Sequence, residues 1–230
     1  MVALFVIFTV VVCVVADSVV QWRKAKRESS LPVTERLPSY AFENVDAPAG
    51  VFLDRGHTWV EVAPSGRVNV GLDAFAKNAL GRIDSIDMPK VGTEIRRGEP
   101  LFRIHQGKRA AEFVAPVDGV VRAVDDELAR DPEGIAQDPY TAGWICSLSP
   151  KNLGRSLRQM LVAEEGRAWL KEEVKRFQSF FGARPMEYAA VGAVLQDGGQ
   201  LAAGVLEVMD DATWSEFTEE FLHNDRVHTA

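Results

Sequence analysis

The sequence predicts a mainly β fold, a compact antiparallel sandwich or barrel, preceded by an N-terminal transmembrane helix and followed by a C-terminal α-helical extension. Three observations carry this. Short runs of alternating polarity, punctuated by Gly and Pro, fill residues 51–124. Val2–Ala16 carries no charged side chain, and the composition turns to helix formers beyond Pro150. With 230 residues, 47% of them hydrophobic, the chain can bury a sizeable core. Its formal net charge of -7 argues against nucleic acid as an electrostatic partner. Cys13 and Cys146 are too few for a disulfide framework and have no zinc-ligand spacing.

Residues 1–22 read as the transmembrane helix, since Asp17 and Ser18 interrupt the apolar run only briefly and the whole is near the roughly 20 residues a bilayer requires. Trp22 then supplies an interfacial aromatic. Arg23, Lys24, Lys26 and Arg27 place the body in the cytoplasm by the positive-inside tendency, which makes the location single-pass in the cell membrane. The competing reading is a cleaved signal peptide ending near Val14-Val15-Ala16, but such peptides carry their positive charge before the apolar run. Residues 23–50, with Pro32, Pro38 and Pro48, read as a linker.

Trp59–Val62 and Arg67–Val70 alternate in polarity around Pro64-Ser65-Gly66, a hairpin signal. Asp73 can cap a helix over Ala74–Leu80 that Gly81 ends. Strands are expected at Ile83–Met88, Gly92–Ile95, Leu101–Gln106, Arg109–Ala115 and Gly119–Val124. In residues 154–230, Ser156–Phe181 places Leu157, Leu161, Trp169, Leu170, Val174 and Phe177 on one helical face. Val191–Val208 is broken by Asp197-Gly198-Gly199, and a last helix starting at Asp210 or Asp211 aligns Trp214, Phe217 and Phe221.

The hairpin at 101–114 is where chemistry could sit. Gly107 at the first central position suits a two-residue type II′ turn and puts Lys108 at the tip. Counting outward pairs Gln106 with Arg109, His105 with Ala110, Ile104 with Ala111, Arg103 with Glu112 and Phe102 with Phe113. A lysine on a rigid tip can be reached by a modifying enzyme. It can equally be a solvated lysine in a tight turn.

Residues 51–153 resemble the glycine cleavage H-protein family. The resemblance rests on Gly56-His57-Thr58-Trp59-Val60, on Val70-Gly71-Leu72-Asp73-Ala74-Phe75-Ala76, on Ala115-Pro116-Val117-Asp118-Gly119 and, most specifically, on Asp138-Pro139-Tyr140-Thr141-Ala142-Gly143-Trp144. It implies a biotinyl/lipoyl-type β-sandwich with Lys108 on the family's lipoylated position and Glu112 on the acidic residue that follows it. Around that lysine the family usually reads Glu-Ser-Val-Lys-Ala, whereas this chain has His105-Gln106-Gly107-Lys108-Arg109, and Phe102 replaces a small residue.

The expected function is therefore a membrane-tethered carrier presenting a lipoyl-lysine arm at Lys108 to partner enzymes of a multienzyme complex, with a lipoate ligase or transferase acting on it. The alternative is an unlipoylated scaffold or accessory subunit of a membrane-bound complex. An efflux-pump adaptor fits poorly, because Leu101–Val121 runs without the long helical insertion of those proteins. No catalytic constellation and no metal-ligand spacing is visible, so the chain reads as a non-enzyme. His57 reads as a brace for Trp59 or a nearby loop, His105 as an exposed strand residue, and Cys146 as buried and inert. Asp125-Asp126-Glu127 with Asp131 and Glu133 offer either a docking surface for a basic partner or ordinary loop charge.

Overall fold

A computed structural model describes residues 42, 45–182, 195–196 and 200–223. All of them fall in one compact unit, Leu37–Ala230. Ten strands form the body: β1 (Val51–Leu53), β2 (Thr58–Val62), β3 (Val68–Leu72), β4 (Ser85–Asp87), β5 (Glu94–Ile95), β6 (Pro100–Gln106), β7 (Arg109–Val114), β8 (Gly119–Val124), β9 (Trp144–Pro150) and β10 (Leu161–Val162). They make a seven-stranded sheet in the order β10-β1-β2-β3-β9-β8-β5 and a three-stranded sheet in the order β4-β6-β7. Trp59, Val60 and Leu72 of the first sheet share one buried cluster with Ile104 and Phe113 of the second, which makes the pair a sandwich.

The local chemistry follows the sequence closely. The β2–β3 hairpin closes by Ala63 N–H donating to Arg67 C=O at 2.9 Å, with Val62 opposite Val68. Helix α1 (Ala74–Leu80) starts where Asp73 accepts from the Ala76 N–H at 2.8 Å and ends at Gly81 with φ +74°. Two short helices, α2 (Asp126–Arg130) and α3 (Glu133–Gln137), lie between β8 and β9. Asp125 caps the first of them through the Glu127 and Leu128 N–H groups, and Asp131 accepts from the Glu133 N–H. These acidic residues thus have local structural work.

Beyond β9 the expected long helix is broken into α4 (Leu153–Leu157), strand β10 and α5 (Ala163–Gly182). The break has a physical cause. Strand β1 has an edge that needs partners, and Leu161 and Val162 pair with Leu53 and Phe52 to supply them. Ala163 then takes φ +50°, which no continuous helix allows. A hairpin of β11 (Leu195–Gln196) and β12 (Gln200–Leu201), a 3₁₀ turn over Val205–Val208, α6 (Asp211–Phe217) and a π turn over Thr218–Leu222 follow among the described residues. Asp210 caps α6 through the Thr213 N–H at 2.7 Å.

Two expectations about the architecture need correction. The C-terminal region is no separate helical extension. Leu170, Phe177, Phe217 and Phe221 are buried in the same cluster as Leu53, Phe75 and Trp59, so these helices complete the core of the sandwich. Nor is a transmembrane helix part of the described fold. Among the described residues no helix is long and apolar enough to cross a membrane, and residues 1–22, on which that expectation rested, lie outside them.

Gly71 shows how tightly the first sheet is closed. It sits at a register shift between β3 and β9, and a Cβ there would lie 2.4 Å from the Gly143 carbonyl oxygen and 2.8 Å from the Trp59 ring. Neither neighbour can give, since Trp59 is fully buried and donates through Nε1 to the Pro139 carbonyl at 3.0 Å. Gly71→Ala should therefore lower the unfolding free energy by about 1–3 kcal/mol in urea titrations. Gly98→Ala, at φ +81° with nothing near its added carbon, should report the cost of positive φ alone, whereas Gly71, which has no positive φ, should report the steric cost alone.

Candidate functional site

The β6–β7 hairpin has the register counted from the sequence, from Gln106 opposite Arg109 down to Phe102 opposite Phe113. Gly107 takes φ +60° while Lys108 keeps an ordinary φ, the combination of a type II′ turn. Below the tip, Arg103 donates to Glu112 at 2.8 Å on the exposed side. Phe102 and Phe113 stack on the buried side with centroids 5.2 Å apart. The bulky Phe102 thus finds its place in the core, only 2% exposed. The result is a stiff ribbon rooted in the sandwich.

Residues flanking Lys108 tie the tip to the body. Gln106, buried, donates through Nε2 to the carbonyls of Leu80 and Arg82, both at 2.7 Å. The Gly107 N–H donates to Asp84 Oδ2 at 2.6 Å, and His105 Nε2 lies 2.8 Å from Asp87 Oδ2. On the other strand Arg109 pairs with Asp211 at 2.7 Å, donates to the Leu206 and Met209 carbonyls, and lies over the Trp214 ring at 5.6 Å. Trp214 Nε1 in turn donates to the Ala110 carbonyl at 3.3 Å. Lys108 itself is exposed, and its ammonium pairs with no carboxylate among the described residues. A cavity of about 370 Å³ opens beside it, lined by Arg82, Gln106, Glu207 and Asp211.

The other residues singled out from the sequence lie elsewhere. His57 is fully buried, stacked between Phe75 at 4.4 Å and Trp169 at 5.0 Å. Its Nδ1 hydrogen-bonds Asp73 Oδ2 at 2.8 Å, while Glu173 Oε2 stands 3.8 Å from Nε2 and acts through charge. Burial alone would lower its pKa; the carboxylate of Asp73, and then that of Glu173, overcome this and raise it to about 9. Burial likewise opposes ionisation of Glu173, but His57 and Arg176 outweigh it and hold that carboxyl below the usual range. Nothing local in the sequence pairs His57 with Trp169 and Glu173, more than a hundred residues away, so this triad was missed. Burial pushes the Cys146 thiol up to about 12, consistent with an inert core residue. His223 lies against the Thr218 carbonyl, and His228 and Cys13 are outside the described residues.

A family model for the glycine cleavage H-protein matches residues 52–173, just over half of the chain. The chain belongs to the glycine cleavage H-protein family. A probable glycine cleavage system H protein of Pyrococcus abyssi is 38% identical over 122 residues, covering 53% of this chain and 90% of that one. The glycine cleavage system H protein of Coprothermobacter proteolyticus is 35% identical over 123 residues, 54% of this chain and 96% of that protein. A crystal structure of a glycine cleavage system H protein from Mycobacterium marinum aligns with a TM-score of 0.48 at 30% identity, covering 54% of this chain and 98% of that one.

Membership makes the chain a non-catalytic carrier or accessory protein, and the family carries lipoate on a lysine. It also corrects the expectation of a membrane-anchored variant with a helical extension. Residues 154–173, assigned above to the extension, lie within the H-protein match, and no described helix can cross a bilayer. The membrane-tethered function, the membrane as a partner and the single-pass cell-membrane location are withdrawn with it.

Proposed function

We propose that the chain is a lipoyl carrier whose Lys108 receives lipoate from a ligase or transferase and presents it to partner enzymes of a glycine-cleavage-type complex. The observation that supports this most is the placement of Lys108. It is an exposed amine without an ion-pair partner among the described residues, on a stiff turn with open space beside it. It also stands on the position that the resemblance implies for the lipoylated lysine. Those features fit an amide-linked arm. When bound, lipoate supplies a dithiolane for thiol–disulfide exchange and for carriage of a one-carbon amine.

The chain's own part is mechanical. The Phe102–Phe113 stack and the bonds from Gln106 and Gly107 fix the tip, so a modifying enzyme meets Lys108 in one geometry. His105, Gln106 and Arg109, which depart from the family's usual hairpin, all bond to the body of this protein. That observation favours a second reading, an unmodified accessory subunit whose hairpin is structural. Intact-mass measurement of the chain produced in a lipoylation-competent host separates the two. The carrier reading expects a lipoyl adduct that disappears in Lys108→Ala. Unmodified wild-type protein from that host would leave only the accessory reading.

A further inference from the structure

Helix α1 buries five of its seven residues, which leaves Lys77 and Asn78 as its strip off the core. That strip lines a cavity of about 760 Å³, whose other walls include Ile83, Pro132 and Ala136 and the stretch from Ala203 to Glu207. A volume of this size falls within the roughly 300–1,000 Å³ of small-molecule sites. The wall beside the lysine is firmly built, since the Gly204 N–H donates to the Asn78 carbonyl at 2.6 Å. Lys77 is half-buried there, whereas Lys90, Lys108, Lys151, Lys171 and Lys175 are all exposed. Lys151 and Lys175 pair with Glu94 and Glu172, but the Lys77 ammonium pairs with no carboxylate among the described residues. The charged groups around it are engaged elsewhere. Glu207 accepts from the Arg82 N–H, Asp131 from the Glu133 N–H, and the Arg82 guanidinium pairs with Asp84. Burial lowers the Lys77 pKa from the ordinary range, and the Asp138 carboxylate opposes this through charge without cancelling it.

We propose that Lys77 is a carbonyl-capturing residue, whose amine forms an imine with small aldehydes that lay their aliphatic body against Ile83, Pro132 and Ala203. A primary amine held at an apolar cavity is stripped of part of its hydration, so it is more often neutral and nucleophilic than an amine in bulk water. The product suits the place as well, because a neutral imine is cheaper to keep half-buried than an ammonium. In the reaction the amine nitrogen attacks the carbonyl carbon and a C–N bond forms. Loss of water then makes the C=N double bond, with the carbonyl oxygen leaving together with both amine protons. No oxidant or reductant is consumed. The site is separate from Lys108 and does not depend on whether that residue carries lipoate.

The test treats the full chain with butanal at neutral pH, fixes the imine with cyanoborohydride and locates the added mass by peptide mapping. Lys77 should be alkylated about fivefold faster than Lys90 and Lys171, the exposed lysines that serve as standards within the same molecule. That gap should narrow as the pH is raised, because the exposed amines then lose their protons too. Ala136→Trp, which fills the cavity from an exposed position, should bring Lys77 down to the rate of the standards or below and leave the standards unchanged. Equal labelling of Lys77 and the standards in wild type, or a Lys77 rate unmoved by Ala136→Trp, would overturn the capture site and leave the reading of Lys108 intact.

Discussion

Phe177→Ala should lower the unfolding free energy by about 3–5 kcal/mol, the range for truncating a fully enclosed aromatic ring. Phe177 is 0% exposed on the inner face of α5. Its ring centroid lies 5.4 Å from Phe75 on α1, 5.5 Å from both Phe217 and Phe221, and 4.9 Å from Phe181. Deleting it opens a void where α1, α5 and the C-terminal turns meet, and none of the rigid neighbouring rings can collapse into the space. A domain is stable by only about 5–15 kcal/mol, so the loss is about a fifth of the total or more. Urea titration measures it, with Val91→Ala at an exposed site as the comparison. A loss below about 1 kcal/mol would show that the C-terminal helices lean on the sandwich without sharing its core. Hydrogen exchange should show the same event locally, with α6 amides losing protection first, since Phe217 and Phe221 depend on that ring.

How legible this was in the sequence depends on the range of the interaction. The hairpin could be read to the residue from Gln106 down to Phe102, because a two-residue turn with Gly at its first position sets the cross-strand pairs that follow, until the register shifts between Phe102 and Pro100. Helix α1 was legible for the same reason, with Asp73 and Gly81 as local punctuation. The helix expected over Ser156–Phe181 was read from a periodicity that holds only from Ala163 onward. Leu161 and Val162 fit a helical face, but the unfilled edge of β1 is more than a hundred residues away in sequence and claims them as a strand. The site divides in the same way. Lys108 could be placed from turn chemistry. The wall from Ala203 to Glu207, the grip of Asp211 and Trp214 on the hairpin, and the partners of His57 are tertiary, and no spacing or propensity announces them.

The largest pH effect should come from His57. Its folded-state pKa of about 9 lies above the ordinary 6.5, so the folded chain holds the proton more tightly than the unfolded one. The stabilisation is fully present below about pH 6.5 and is lost as the pH rises through about 9. At about 1.4 kcal/mol per pKa unit the loss is roughly 3 kcal/mol. The charged groups facing the imidazole are Asp73, which caps α1, and Glu173 on α5, with Arg176 bonded to Glu173 from behind at 2.9 Å. Arg176 also donates to the Glu220 carbonyl and lies over the Phe221 ring at 4.1 Å, so the imidazolium links the first sheet to α5 and the chain beyond it. Glu173→Gln removes one of the two carboxylates without touching the cap, and should move the fall in stability to lower pH and shrink it. His57→Phe instead leaves the buried Asp73 carboxylate without its charge partner, while Glu173 keeps Arg176, and should cost about 3–5 kcal/mol at neutral pH, the penalty for removing one side of a buried ion pair. Urea titrations from pH 6.5 to 9.5 measure the fall, and the NMR titration of the His57 ring proton assigns it. A flat profile in wild type would mean that the histidine is neutral in its nest, held by the Asp73 hydrogen bond and by stacking on Phe75 and Trp169, whereas a fall unchanged in Glu173→Gln would mean that Asp73 alone holds the proton.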